Sequence, residues 1–240
     1  MKHQIAFAAL TVGLGLTFSV PAAAQTKSNA PVFVDVNVGA QPQSRTLSTS
    51  TSFPLYGETA VVNAAEGIDG GALFDLSAGY RFMPHLSAGV GFSIFSKTGS
   101  GSLAASIPSP NFVNRPATST VSTDNLKHKE TATHLMLGYL VPVGEDLSVR
   151  LSVGPSFFHL TQDVLTATVP AGTQTANVAT DSQTASATGV NVGVNIDWMA
   201  NPMYGVGVFA RYAGAKVDLD SAKDVKVGGF QIGAGARLRF

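Results

Sequence analysis

Beyond residue 25, the main feature of the chain is alternation of apolar and polar residues with a period of two. No apolar run in this region is long enough for a spanning helix, and no helical stripe is sustained. A period of two places successive side chains on opposite faces of a β-strand. The pattern predicts eight strands, at 31–40, 71–82, 86–96, 131–142, 146–160, 187–199, 203–213 and 226–240.

The two faces of these strands differ in an unusual way. One face is a row of Val, Leu, Ile, Ala and aromatic residues that no charge interrupts, whereas the other carries many glycines and other small or polar residues with a few charges. In a soluble sandwich or barrel, the apolar face points inward and bulky side chains fill the core. A narrow barrel in lipid reverses this, because its interior has little room and its outer wall contacts hydrocarbon. We therefore predict an all-β protein, an eight-stranded antiparallel up-and-down transmembrane β-barrel.

The connections between the predicted strands alternate in length. Short turns at 83–85, 143–145 and 200–202 alternate with long connections at 41–70, 97–130, 161–186 and 214–225. Transmembrane barrels have short periplasmic turns and longer outer loops, so both termini are expected on the periplasmic side. Strand eight must pair with strand one, because lipid offers no partner to an open sheet edge.

The N-terminal segment has the features of a targeting sequence. Lys2 and His3 form a basic start, an apolar core follows from Ile5 to Val20, and three alanines end at Ala24. This order predicts a cleaved signal peptide over residues 1–24 and a barrel domain over 25–240. The alternative, a membrane anchor, is disfavoured because a spanning helix needs about 20 apolar residues.

Composition narrows the possible functions. The chain has 15 basic and 15 acidic residues and no cysteine. Without a basic surplus, no nucleic-acid partner is expected. Without cysteine, disulfides, thiolate metal sites and thiol nucleophiles are excluded.

Charged residues on the glycine-rich face are predicted to meet inside the barrel. Every basic member is arginine, whose planar guanidinium suits crowded, partly desolvated ion pairs. Closure of strand eight on strand one would make Arg237 and Asp35 neighbours. We interpret the set as a network that plugs and stiffens the barrel, and the alternative is an ion-selective pore. Its members are Asp35, Asp75, Arg81, Arg150, Asp197, Arg211, Arg237 and Arg239.

Aromatic residues gather near the predicted periplasmic rim. Amphipathic rings favour the headgroup level of a bilayer. The predicted girdle consists of Tyr80, Phe82, Tyr139, Trp198 and Tyr204.

Three segments resemble the small outer-membrane barrels of the OmpA/OmpX type: GYRFMPHLSAGVGFS at 79–93, SVGPSFF at 152–158 and GAGARLRF at 233–240. The resemblance implies an outer-membrane location after export, with the lipid bilayer and the barrel-assembly machinery as partners. It also implies an assembly signal carried by Phe230, Leu238 and Phe240.

The histidines give little support for catalysis. His85-Leu86-Ser87 has the H-x-S spacing of lipid A deacylases, but the lipid-facing row that begins at Leu86 puts it at the inner rim. His159 lies near the outer rim, in a triplet with threonine in place of the serine. We expect no catalytic residue, no cofactor and no metal site.

The outer loops are the expected contact surface, for a ligand that the sequence does not identify. Residues 44–50 and 169–186 are rich in Ser, Thr and Ala, a composition typical of solvated connections. Residues 164–168 are β-prone and are expected to extend strand five beyond the bilayer. We predict a structural or interaction role for the protein; the alternatives are a narrow channel for small solutes or ions and a lipid-modifying enzyme.

Overall fold

The computed structural model describes residues 30–240, and within them every regular element is a β-strand. No helix among these residues is long and apolar enough to cross a membrane. The predicted signal peptide lies outside the described residues. The strands are β1 (Val32–Gln41), β2 (Arg45–Leu55), β3 (Glu58–Ile68), β4 (Gly71–Arg81), β5 (Leu86–Ile107), β6 (Ala117–Pro142), β7 (Leu147–Thr168), β8 (Asn177–Met199), β9 (Tyr204–Val217) and β10 (Val225–Arg239).

Eight of the strands form a closed antiparallel ring in the order β1, β4, β5, β6, β7, β8, β9 and β10. These eight correspond to the eight predicted strands. The ring closes between β10 and β1, where Arg237 is the register partner of Asp35. Pairing continues to the end of β10, since Val32 and Phe240 exchange backbone hydrogen bonds of 3.0 and 2.9 Å. The predicted closed barrel is confirmed.

Short turns at 82–85, 143–146 and 200–203 lie at one end of the ring, here called the turn end. The opposite end, here called the loop end, carries the longer connections. Val32 and Phe240 both lie at the turn end. The alternation of short and long connections is therefore the one that the sequence predicted.

The two faces of the ring strands point as predicted. On β1, Val38 is 68% exposed, whereas Asp35 and Asn37 on the opposite face are 1% and 2% exposed. The apolar rows cover the outer wall, and the polar rows line the interior. An outer wall of Val, Leu and Phe is the surface that hydrocarbon requires.

The expectation that residues 44–50, within the long connection at 41–70, are a solvated connection is wrong. This segment forms the hairpin of β2 and β3. Alternate apolar residues in it are sparse, and its many Ser and Thr residues conceal the strand pattern. β4 pairs with β5 as far as Phe95, and β3 then pairs with residues 100–106 of the same strand. Gly99 permits this exchange, because a Cβ there would lie 2.2 Å from the Gly67 carbonyl oxygen.

The long connections at 97–130 and 161–186 are also largely strand. β5 continues to Ile107, β6 begins at Ala117, and β7 reaches Thr168, which confirms the extension predicted at 164–168. These extensions and the β2–β3 hairpin enclose an apolar core of their own. We call this part the outer module; it comprises β2, β3 and residues 97–107, 117–127, 163–168 and 177–186. Its buried core residues are Val62, Ala64, Leu103, Ala105, Ile107, Leu126 and Leu165.

The interior near the loop end is also more apolar than expected. Phe158 and Leu160 are buried beside Val217 and Val227. Phe95 and Phe209 form a further cluster with Leu73. Large apolar side chains share this half of the interior with polar residues, so the expectation of an interior of small residues and a few charges holds only for the half nearer the turn end.

Candidate functional site

Two aspartates and three arginines form an ionic cluster inside the barrel near the turn end. Asp197 accepts from Arg237 Nε at 2.5 Å and from Arg239 Nη2 at 2.8 Å. Asp35 accepts from Arg239 Nη1 at 2.7 Å and also pairs with Arg150. Arg237 Nε lies 3.8 Å from Asp35 Oδ1. All five side chains are buried, so each carboxylate is shared among guanidinium groups that have little access to water.

Packing closes the space around this cluster. The Arg150 guanidinium stacks over the Phe33 ring with its carbon 4.1 Å from the ring centroid. A cavity lined by Phe33, Ser77 and Met136 has a volume of about 10 Å³. That is about the space of one water molecule. A second cavity, lined by Arg150 and Arg239 on the turn-end side of the cluster, has a volume of about 40 Å³. Side chains therefore fill this level except for space that would hold about three water molecules.

A second ion pair lies one layer further into the barrel. Arg211 Nη2 contacts Asp75 Oδ2 at 2.6 Å, and Arg211 Nε donates to Gln231 at 2.9 Å. Asn37 joins the two layers, because its amide donates to Asp75 at 3.0 Å and its oxygen accepts from Arg237 at 2.6 Å.

The network continues toward the loop end through amides and carboxylates. Gln231 donates to Gln41, and Gln41 donates to Glu130, at 3.1 and 3.2 Å. Glu130 also pairs with Arg45 at 2.8 Å and with His128 Nε2 at 2.9 Å. A connected chain of polar contacts therefore runs along the interior from the ionic cluster to the base of the outer module.

The last contacts of this polar network reach into the outer module. The other ring nitrogen of His128 contacts Gln162, which donates to Glu66 Oε2 at 3.4 Å. The Leu165 N–H donates to Glu66 Oε1 at 2.8 Å. Burial raises the pKa of Glu66 above its usual value, and these hydrogen bonds offset the shift only in part. Glu66 therefore links β3 to β7 through a carboxyl group that is buried.

The predicted interior residues occupy different layers. Asp35, Arg150, Asp197, Arg237 and Arg239 meet in the ionic cluster. Asp75 and Arg211 form the second layer. Arg81 is half-buried at the turn end, where it donates to the Ala30 carbonyl oxygen at 2.6 Å.

Sequence reasoning missed the part of the network nearest the loop end. Gln41, His128, Glu130 and Gln162 are buried and connected, but they lie at or beyond the ends of the predicted strands. Extending the period-two pattern past residue 131 toward residue 128 would have placed His128 and Glu130 on the inner face.

Aromatic residues form two belts on the outer wall. The predicted girdle residues Tyr80, Phe82, Tyr139, Trp198 and Tyr204 are all exposed near the turn end. A second belt lies nearer the loop end and was not predicted. On β9 the two belts lie at Tyr204 and Tyr212. With a rise of about 3.4 Å per residue and a strand tilt of about 40°, the height between the belts along the barrel axis is about 21 Å. The second belt consists of Phe74, Phe92, Phe157, Tyr212 and Phe230.

Phe230, Leu238 and Phe240, which are expected to carry the assembly signal, differ in placement. Phe230 lies in the second belt, and Leu238 pairs with Tyr204 near the turn end. Phe240 is exposed at the foot of the β1–β10 seam.

Two histidines contact serines, at different places in the barrel. His134 contacts Ser93 at 2.9 Å and Ser156 at 2.7 Å, and all three side chains are buried in the interior. His159 contacts Ser186 at 3.0 Å on the outer wall, where both are accessible. Within residues 30–240 neither histidine has a hydrogen bond or ion pair to a carboxylate, so the base of each pair lacks the acidic orienting group of a catalytic triad.

The two polar side chains of the H-x-S triplet contact different backbone groups. His85 contacts the Leu140 carbonyl oxygen at 2.9 Å, whereas the buried Ser87 hydroxyl points toward the Gly138 carbonyl oxygen. Among the residues that the structure describes, no group of three or more His, Asp or Glu side chains is placed to hold a metal ion.

Several solved structures are similar to this chain over most of its length. OprG from Pseudomonas aeruginosa superposes with a TM-score of 0.51 at 9% identity, covering 90% of this chain and 99% of that chain. The outer membrane protease OmpT from Escherichia coli gives a TM-score of 0.48 at 10% identity, covering 88% and 97%. Neisserial surface protein A gives 0.42 at 14% identity, covering 87% and 97%. No curated protein sequence matches the chain.

The family comparison is more specific than these likenesses of fold. The model of the outer membrane protein beta-barrel domain matches residues 10–238, which is nearly the whole chain. The predicted resemblance to small barrels of the OmpA/OmpX type is confirmed. The chain belongs to the outer membrane protein beta-barrel domain family, and it is a protein of the Gram-negative outer membrane.

Proposed function

We propose that this protein is a closed, non-conducting barrel that presents the outer module at the cell surface as an interaction platform. The observation that carries the proposal is that strands β5 to β8 continue beyond the lipid-facing rows and pack with β2 and β3 around a separate apolar core. Flexible loops need no such core. An ordered surface can bind a partner without paying the ordering entropy that a disordered loop would lose.

The surface of the outer module fits a contact role. Thr46, Ser48 and Ser50 are exposed on β2, which pairs with β3 on one side and forms the outermost strand of the sheet. An edge strand offers unpaired backbone groups to an added strand. Charged residues, which usually protect such edges, are absent from residues 46–55.

The filled interior supports a non-conducting barrel over the channel alternative. The ionic cluster, the second ion pair and the apolar clusters occupy successive levels of the interior. In planar bilayers, we expect wild-type protein to give no stable conductance steps. Regular steps would refute the closed barrel and favour the channel.

The interaction role is tested by excising the β2–β3 hairpin. Residues 44–68 can be replaced by a short turn, because Gln41 and Gly71 are already register partners and Gly70 lies against Pro42. The variant should still show the gel mobility shift between boiled and unboiled samples that marks a folded barrel. Cells that display it should lose the binding that wild-type cells show to a panel of immobilised matrix proteins, glycans and bacterial cells. Equal binding by the two would refute the platform.

A further inference from the structure

A groove lies on the outer wall of the barrel near the loop end, across strands β8, β9 and β10. Its volume is about 770 Å³. Its floor is formed by Gly214 of the outward row of β9, the register partner of Val190 on β8 and of Gly228 on β10, which leaves no side chain in the middle of the groove. Gly228 has a φ of +76°, a conformation that side-chain-bearing residues rarely adopt. The groove is open at its middle because Gly214 has no side chain.

Two lysines stand directly opposite each other at the loop-end side of the groove. Lys216 on β9 and Lys226 on β10 are register partners, and both are exposed. Like charges at directly opposite positions destabilise a sheet. The pair therefore carries an electrostatic cost that an anion placed between the two ammonium groups would relieve.

The neighbouring charges leave this cost largely uncompensated. Lys216 contacts Asp224 at 3.0 Å, but both side chains are more than 60% exposed, so water screens the pair. Asp224 is itself held in the turn, where its N–H donates to Asp218 at 2.9 Å. Lys226 has no ion pair within residues 30–240.

Arg45 adds a third cation to the rim of the groove. Its Nη1 donates to the Lys226 carbonyl oxygen at 2.7 Å, which holds the guanidinium beside the lysine pair. Glu130 neutralises this arginine from the interior side. The guanidinium nevertheless adds hydrogen-bond donors beside the two ammonium groups.

The depth of the groove identifies its occupant. Tyr212 belongs to the second aromatic belt, and its hydroxyl lies 3.3 Å from where a Cβ of Gly214 would be. The groove thus starts at the headgroup level and rises from there, with apolar wall below and cations above. A lipid whose acyl chains follow the wall and whose anionic headgroup enters the groove meets both surfaces.

We infer that this groove binds the phosphorylated headgroup of an outer-leaflet lipid, with Lys216 and Lys226 as the phosphate ligands. Phosphate suits the pair because ammonium groups form strong charge-assisted hydrogen bonds with its oxygens. The two lysine ligands lie on β9 and β10, outside the outer module, so the lipid site does not depend on the interaction platform.

The test measures binding of lipid A to the full-length protein in detergent micelles, using diphosphorylated lipid A and the same lipid with both phosphates removed. The wild type should prefer the diphosphorylated form. Replacing both lysines (Lys216→Gln with Lys226→Gln) should weaken its binding about 30-fold, as expected for two lysines near an anionic lipid. The matched control is Lys127→Gln with Lys129→Gln, which removes two exposed lysines of β6 outside the groove and should change binding less than twofold.

A second variant separates shape from charge. Gly214→Val keeps every cation but fills the floor, and it should also weaken binding of diphosphorylated lipid A while the barrel still shifts on an unboiled gel. Inorganic phosphate at millimolar concentration should not compete with the lipid. Equal loss in the control pair, equal binding of the dephosphorylated lipid, or displacement by inorganic phosphate would each overturn the assignment.

Discussion

Neutralising Asp35 tests the ionic cluster more sharply than any other single change. In the wild type, three arginines share two aspartates. In Asp35→Asn the shape is kept, but Arg150, Arg237 and Arg239 are left with Asp197 alone, at 3.7, 2.5 and 2.8 Å. The net charge of the cluster rises from one positive charge to two.

The size of the effect follows from burial. Removing one partner of a buried ion pair costs about 3–5 kcal/mol, because the remaining charge loses its compensation. A single contact at 4 Å is worth about 4 kcal/mol at an effective dielectric constant of about 20, which gives the same order. We therefore expect the free energy of unfolding to fall by about 3–5 kcal/mol. That is a large share of the roughly 5–15 kcal/mol of a typical domain.

Urea unfolding in phosphatidylcholine vesicles measures this loss. Trp198, the single tryptophan of the chain, is half exposed on the lipid-facing wall and reports unfolding by its fluorescence. Asp124→Asn, at an exposed position of β6, is the matched control and should change stability by less than about 0.5 kcal/mol. Adding Arg239→Gln to Asp35→Asn restores the net charge, so the double variant should lose less than the sum of the single losses. Equal losses in Asp35→Asn and Asp124→Asn, or strict additivity, would refute the reasoning.

Two further predictions address the lipid-facing wall and the outer module. Val192→Arg, near the middle of the wall, should cost about 2–4 kcal/mol, whereas Val32→Arg, at the turn-end rim, should cost at most about 1 kcal/mol; equal urea midpoints for the two would contradict the assignment of faces. The raised pKa of Glu66 means that the folded chain favours the protonated carboxyl. The outer module should therefore be most stable below about pH 4.5 and lose stability as the pH rises through the raised pKa. Hydrogen exchange of the Leu165 amide, corrected for its intrinsic pH dependence, should follow this trend, and Glu66→Gln should flatten it; an unchanged profile in the variant would exclude Glu66 as the source.

The ring of the barrel could be predicted from sequence because lipid imposes a strict rule on its wall. Each outward position must be apolar, so rows such as Val190, Val192 and Val194 stand out against the glycines between them. Closure was also predictable, since an open edge cannot lie in hydrocarbon.

The outer module could not be predicted because residues that face water need not be apolar. In β2, exposed Ser and Thr residues alternate with half-buried Leu47, Phe53 and Leu55, and this weak contrast resembles a solvated loop. The pairing of β3 with β5 depends on where β4 ends, which is a property of the whole sheet. The contacts of Glu66 with β7 depend on that pairing, and no local sequence pattern indicates them.

The central claim is that side chains fill the interior and close it to solvent, and the absence of cysteine from the chain allows a direct measurement. Ser152→Cys places a thiol in the buried interior, and Thr46→Cys places one on the exposed edge of the outer module. With a charged, water-soluble maleimide, Thr46→Cys should react at once, and Ser152→Cys should react only after unfolding in urea. Equal labelling of the two in the folded protein would mean a water-filled lumen and would contradict the closed barrel.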